Sequence, residues 1–263
     1  MRLGGFGKIE DYDKIKAAGF DYAELDMPEI EALSEEELSR FAAHVEECGF
    51  PVPTGARIIP VTDPLFFIEG FQNKDWEEYL KSSCRKNARL GIKKILFGGG
   101  KARSLQGEES RRLEGQFISF MRMLCEIAGE HGQEILIEPL GPKYSNYMNT
   151  VPAALEVAEK ISMPNLFVMA DLRHFIWSGE PLEDIGRYQE SIHHYHMDFP
   201  LSFPERGVPS VEDGYNYASY LTQLALLKDQ DYTLTIESDI PKDWMAAGRQ
   251  VREVLKYYGP EKA

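Results

Sequence analysis

The feature that most constrains this chain is a rhythm: eight short, β-rich apolar runs, each followed by a longer stretch with helical spacing. The runs lie around residues 1–6, 20–26, 52–58, 93–98, 134–140, 166–171, 191–198 and 232–237. Strands that alternate with helices pair in parallel, with each helix crossing over the sheet, and eight such units close into a (β/α)8 barrel. A barrel of this kind needs about 250 residues, and the chain has 263, so one α/β barrel domain over residues 1–263 is expected. No sequence-identical repeat accompanies the rhythm.

The intervening segments carry their own helix signals. Ser34-Glu35-Glu36-Glu37 reads as a capping box, Leu33 and Leu38 can form a hydrophobic staple across it, and Gly49 suits the stop. Leu113, Phe117, Phe120, Met121, Leu124, Ile127 and Ala128 recur on one helical face, opposite Arg111, Arg112, Glu114 and Glu126. That stripe is read as core rather than as a cofactor box. Tyr217, Leu221, Leu224 and Leu227 repeat the arrangement, and Trp244, Val251, Val254 and Leu255 mark a closing helix. Because side chains fill a barrel of this size, chemistry belongs to the strand ends and the loops that follow them.

Four of the later strand ends present an ionisable residue where the apolar run stops. Glu138 follows Ile135-Leu136-Ile137, and Glu237 follows Tyr232-Thr233-Leu234-Thr235-Ile236. Asp171 follows Phe167-Val168-Met169-Ala170 and could equally cap the next helix. In Ile192-His193-His194-Tyr195-His196-Met197-Asp198, strand alternation puts His194, His196 and Asp198 on one face. His196 lies nearer the strand's end and is the better ligand; His194 lies deeper and reads as a hydrogen-bonded core imidazole. Three carboxylates and one imidazole suit one hard or borderline divalent cation, with Mn²⁺ the first expectation and Mg²⁺, Co²⁺ or Zn²⁺ as alternatives. Such a cation can chelate neighbouring oxygens of a sugar and stabilise an enediolate, while carboxylates move a proton. Gly98-Gly99-Gly100-Lys101-Ala102-Arg103 either brings backbone N–H groups to an anion or forms a flexible turn bearing two surface cations. It lacks the upstream glycine and the Ser or Thr of a Walker motif.

The order and spacing of Glu138-Pro139-Leu140, Asn146, Asn149-Thr150, Asp171-Leu172-Arg173-His174, His194-Tyr195-His196-Met197-Asp198 and Ile236-Glu237 resemble the xylose-isomerase-like barrel family over nearly the whole chain. The resemblance implies that Glu138, Asp171, His196 and Glu237 are metal ligands, with Glu138 and Glu237 doubling as acid and base. It implies substrate contacts for His174, for Arg206 in Arg206-Gly207-Val208-Pro209, and for Glu24 near the mouth. One departure stands out: ketose epimerases of the family usually carry Asn-Arg and a further Glu after the fifth strand, where this chain has Gly141-Pro142-Lys143-Tyr144. A substrate contact is thereby missing, which opens the substrate without touching the metal site.

A net charge of −14 disfavours nucleic-acid backbones and fits a neutral or metal-chelated small molecule. The apurinic-site nucleases that share this fold carry extra histidines, whereas Pro51–Arg57 offers none and no Asp-x-His follows the seventh strand. Cys48, Cys84 and Cys125 are odd in number and lie among apolar neighbours, so buried thiols are expected. With no apolar h-region at the N-terminus and no apolar run of about 18 residues, the expected setting is the cytoplasm, without a membrane partner. The expected activity is that of a metal-dependent isomerase or epimerase of a ketose or related carbohydrate. A lyase resembling inosose or dehydroshikimate dehydratases is the alternative, and a non-catalytic sugar-binding protein the third reading. Homo-oligomers are common in the family.

Overall fold

Parallel pairing of each strand with the next builds the sheet from β1 (Arg2–Gly7), β2 (Tyr22–Asp26), β3 (Thr54–Ala56), β4 (Lys94–Phe97), β5 (Glu134–Ile137), β6 (Leu166–Asp171), β7 (Ile192–Met197) and β8 (Thr233–Ile236). β8 then returns to β1, with Arg2 opposite Thr233 and Gly5 opposite Ile236, and the barrel closes. The computed structural model describes residues 1–229 and 231–260; Gln230 and residues 261–263 of the expected domain lie outside the described residues. Every strand falls within one residue of its expected run.

The outer layer consists of α1 (Tyr12–Ala17), α2 (Met27–Ala32), α3 (Glu35–Cys48), α4 (Glu77–Arg89), α5 (Glu114–Gly129), α6 (Val151–Ile161), α7 (Leu172–Ser178), α8 (Asp184–Arg187), α9 (Ala218–Ala225) and α10 (Trp244–Tyr258). The capping box opens α3 as expected: Glu37 N–H donates to Ser34 Oγ at 3.3 Å, and Ser34 N–H donates to Glu37 Oε2 at 2.9 Å. Gly49 ends α3 in the left-handed region at φ 57°. The short α2 was not expected; Pro28 stands in its first turn, where a missing N–H costs nothing. The α5 stripe is core, for Phe117, Phe120, Met121, Leu124, Ile127 and Ala128 are buried. Cys84 and Cys125 are buried as expected, but Cys48 is only half-buried, because it ends α3 on the outer surface. Among the described residues no helix is long and apolar enough to cross a membrane.

The barrel interior is divided by chemistry. Ala56, Leu96, Leu136 and Met169, from β3 to β6, make an apolar layer. Glu24, His194, His196, Thr233 and Thr235, from β2, β7 and β8, are all fully buried and make a polar one. Tyr22 closes the polar half: its hydroxyl lies 2.8 Å from Thr235 Oγ1. The ring fits only because β1 has glycine at position 4, where a Cβ would come within 2.2 Å of the Tyr22 ring.

Gly4→Ala should therefore displace Tyr22 and destabilise the fold by about 1–3 kcal/mol, the usual cost of overpacking. Thermal denaturation checks this, and an unchanged melting temperature would contradict the packing described.

Candidate metal centre

Four strand ends converge at the barrel mouth. Glu138 directly follows β5, Asp171 ends β6, His196 stands in β7 and Glu237 directly follows β8, and one ligand atom from each lies within 4.8 Å of all the others. Sheet pairing holds the two glutamates: Glu138 N–H donates to the Phe97 carbonyl and Glu237 N–H to the Met197 carbonyl, both at 3.2 Å. Glu138 Oε2 occupies space left by Gly98, where a Cβ would sit 2.6 Å away. Asp171 divides its two oxygens. Its Oδ1 accepts from Arg173 N–H at 2.7 Å and caps α7, while Oδ2 faces the cluster.

Arg206 reaches into this group, where its partners are carboxylates of the protein. Its guanidinium lies 2.5 Å from Asp171 Oδ2, 2.5 Å from Glu237 Oε2 and 2.8 Å from Asp198 Oδ2. Arg173, fully buried, donates from Nε to the same Asp198 oxygen at 2.7 Å, so Asp198 ties the two arginines together. Burial pushes the Asp198 carboxyl up to about 6. With Asp198 balanced by Arg173, the carboxylates of Glu138, Asp171 and Glu237 still outnumber the positive charges of Arg206 and a protonated His196 beside them, and Glu24 faces the same imidazole. Burying such an excess without a counter-ion is costly. Glu138 Oε1 is buried and has no hydrogen-bond partner among the described residues. The donor set, the excess charge and the unpartnered oxygen together fit a divalent cation.

Glu24 is the main correction to the sequence reading. It does not line the mouth cavity but lies fully buried below it. Its Oε2 accepts from His194 Nε2 at 2.9 Å and from Thr235 Oγ1 at 3.1 Å. Its Oε1 lies 2.9 Å from His196 Nε2, an ion-pair distance at which the N–H direction is too oblique for a formed hydrogen bond. His194 is the core imidazole expected: Thr233 Oγ1 meets its Nδ1 at 2.7 Å, and burial pushes it down to about 4, so it is neutral. Burial opposes the charge on Glu24, yet the neighbouring His196 and His194 hold its carboxyl well below the usual range. Burial likewise opposes a charged His196, but Glu24 and Glu237 raise it well above the ordinary imidazole value. With Glu24 on the Nε2 side, Nδ1 is left to the cluster, where it lies 3.1 Å from Glu237 Oε2.

His174 is buried at the mouth. Gly141 N–H donates to its Nδ1 at 3.1 Å, which puts the ring proton on Nε2. That nitrogen points at Glu138 Oε1, 3.5 Å away, and Asp171 Oδ2, 3.7 Å away, without a formed hydrogen bond. Over these groups lies a cavity of about 420 Å³, also lined by Arg57, Lys101, Lys143 and Tyr144.

Sequence reasoning named none of these side chains as contacts, although two runs marked three of them: Gly98–Arg103, read as an anion cradle or a flexible turn, holds Lys101, and the unusual Gly141–Tyr144 segment holds Lys143 and Tyr144. Tyr144 stacks on Trp177 at 5.4 Å and 11°, and its buried hydroxyl has no partner among the described residues. Arg57 holds a left-handed φ of 43°, a strained choice for a residue with a side chain, with Nε 3.3 Å from Asp26 Oδ1. The reading of Lys101 and Arg103 as two surface cations is half corrected. Lys101 is exposed, but Arg103 is fully buried and donates from Nη2 to the Glu138 carbonyl. The loop folds inward because Leu65 and Phe66 N–H both donate to the Ala102 carbonyl, at 3.0 and 3.1 Å.

The sequence profile of the xylose isomerase-like TIM barrel family matches residues 12–258. Among curated proteins, 3-dehydroshikimate dehydratase from Bacillus anthracis is 25% identical over 123 residues, which span 44% of this chain and 43% of that protein. The match thus covers less than half the length of that relative. Among solved structures, 3-keto-D-glucoside 4-epimerase from E. coli superposes with a TM-score of 0.79 at 17% identity, covering 97% of this chain and 99% of the other. A D-psicose 3-epimerase also gives 0.79, at 15% identity and 98% coverage of both chains. At these identities the two structures bear on the fold alone.

Two measurements test the centre. Gly98→Ala should push Glu138 aside and weaken divalent-cation binding by about 10- to 100-fold, the range for altered ligand support, while circular dichroism stays unchanged; calorimetric titration reads the affinity. Because His196 binds a proton more tightly than a free imidazole, a cation must compete with that proton. Affinity should therefore rise with pH and binding should release protons, and a pH-independent affinity would remove His196 from the ligand set.

Proposed function

The chain belongs to the xylose isomerase-like TIM barrel family, and on that premise we propose that it is a divalent-metal-dependent isomerase or epimerase of a ketose or related carbohydrate, working through an enediolate. The observation that carries this reading is the convergence of Glu138, Asp171, His196 and Glu237 beneath an open cavity, with Arg206 and His174 beside them. Those four residues would hold the cation, with Mn²⁺ the metal proposed. A cation bound there supplies Lewis-acid polarisation of a carbonyl and stabilises negative charge on the enediolate oxygens.

The chain's own groups divide the rest of the work. Glu138 and Glu237, from strands separated around the ring, take a proton from the carbon beside the carbonyl and return it. His174, with its proton fixed on Nε2, donates to a substrate oxygen, and Arg206 balances the carboxylates and meets a second one. The Tyr144 hydroxyl, without a partner among the described residues, is a further donor in place of the contact missing from Gly141–Tyr144.

Lyase chemistry begins with the same proton abstraction and ends with loss of water. The similarity to a dehydratase keeps it as a second reading. Two features favour a substrate that itself carries negative charge, in contrast to the neutral one suggested by the chain's overall charge. Lys101 and Lys143 both line the cavity, and neither has a carboxylate partner among the described residues.

A panel of ketoses, sugar acids and cyclic polyol ketones tests these proposals. Chelated protein should be inactive and Mn²⁺ should restore turnover. Glu237→Gln should lower kcat by about 10²- to 10⁴-fold, the usual contribution of a general acid or base, and abolish exchange of the substrate C–H with deuterated water. Release of a conjugated, ultraviolet-absorbing product without an isomer would decide for the lyase. Lys101→Gln and Lys143→Gln should each raise KM for an acidic ketone about 2- to 5-fold, as an exposed charge pair allows, and leave a neutral one unchanged.

A further inference from the structure

Away from the barrel mouth, on the outer face of α1 and α3, an imidazole, a thiol and a carboxylate meet at one point. His44 Nε2 lies 2.8 Å from Asp13 Oδ1 and 3.6 Å from Cys48 Sγ, and Cys48 Sγ lies 4.0 Å from Asp13 Oδ1. His44 and Cys48 are four residues apart, so they project from the same face of α3. Asp13 comes from the first turn of α1.

Two chemical uses of such a trio can be separated by which ring nitrogen each partner approaches. A nucleophilic relay needs the thiol at one nitrogen of the imidazole and the carboxylate at the other. Here both approach Nε2, while Nδ1 is 3.9 Å from the sulfur. Convergence on one nitrogen is the geometry of ligands around a common centre. Tetrahedral zinc with Zn–N and Zn–O of about 2.0–2.2 Å and Zn–S of about 2.3 Å separates its ligand atoms by about 3.3–3.6 Å. Shifts of about 0.5 Å, within reach of half-exposed side chains, bring all three edges to those values.

The frame beneath the trio is already fixed. Tyr12, next to Asp13, packs edge-on against His44 at 5.6 Å and Phe41 at 5.4 Å, and its hydroxyl donates to the Phe50 carbonyl at 2.6 Å. Lys16 Nζ donates to the Cys48 carbonyl at 2.9 Å, a second link between α1 and the end of α3. The backbones that carry the three ligands are therefore held together before any ion arrives, which favours chelation.

We propose that Asp13, His44 and Cys48 form a second metal site, which takes a thiolate-preferring divalent cation of the zinc class with water as the fourth ligand and clips α1 to α3. The protein thereby sorts cations by ligand softness. An oxygen-rich quartet at the mouth takes a hard or borderline ion, and a thiolate on the outer face takes a softer one. This site is independent of the proposed function at the mouth.

Cobalt(II) titration of the purified, reduced protein provides the test, because thiolate coordination gives a near-ultraviolet charge-transfer band that oxygen and imidazole ligands do not. One thiolate-bound cobalt per chain is expected, displaced by Zn²⁺, lost in Cys48→Ser, weakened at least about 10-fold in His44→Ala, and retained in Glu237→Gln. A second readout needs no variant: Zn²⁺ should protect Cys48 from alkylation in the native protein. Absence of the band from the native protein, its survival in Cys48→Ser, or equal alkylation with and without Zn²⁺ would each overturn the proposal.

Discussion

A buried charge inside the barrel organises everything above it. Glu24 lies fully enclosed between His194, Thr235 and His196, where an isolated carboxylate would be prohibitively costly. The cost is offset by donors from β7 and β8, which the closure of the sheet brings opposite β2. Tyr22 in turn meets Thr235, and Gly4 makes room for Tyr22. One half of the interior is thus a connected polar network rather than an apolar layer. Its upper end is His196, whose Nε2 faces Glu24 and whose Nδ1 faces the mouth.

Electrostatic balance at the mouth extends the same logic outward. Arg173 is buried with Asp198, and Asp198 also receives Arg206, which spans Asp171 and Glu237. The loop after β7 is therefore anchored to the ends of β6 and β8 by charge-assisted contacts, the stronger class of hydrogen bond. Arg103 plays a comparable part on the other side, where it holds the backbone of Glu138 from beneath. These arginines leave the three carboxylates short of positive charge, a donor set that suits a divalent cation. The open cavity above carries further cations, so the mouth differs in character from a protein surface of net charge −14.

Much of the barrel was legible because its signals are local. A strand's apolar run, the capping box at Ser34 and the stripe on α5 each depend on residues near one another in sequence, and all three formed as read. The ends of β5, β6, β7 and β8 were legible for the same reason, since a carboxylate or imidazole at the close of an apolar run has few other places to be. Glu24, Arg103 and Cys48 were misread. Nothing adjacent to Glu24 reveals that His194 and His196 lie across the barrel, more than 160 residues on. Nor does the glycine-rich run before Arg103 show that the chain turns its guanidinium inward. Cys48 has apolar neighbours in sequence, but helix geometry turns it outward beside His44.

By itself, then, the sequence determined the order of the elements, the closing number of strands and the residue types at each strand end, because hydrophobic periodicity and capping act over a few residues. Tertiary structure alone decided which of those groups share a charge. It set Glu24 beneath the site rather than in it, gave Asp171 one oxygen for the helix and one for the cluster, and brought Arg206 back to three carboxylates. The physical reason is that electrostatic and hydrogen-bond partnerships are settled by distances of about 3 Å, and distances between strands exist only once the barrel has closed.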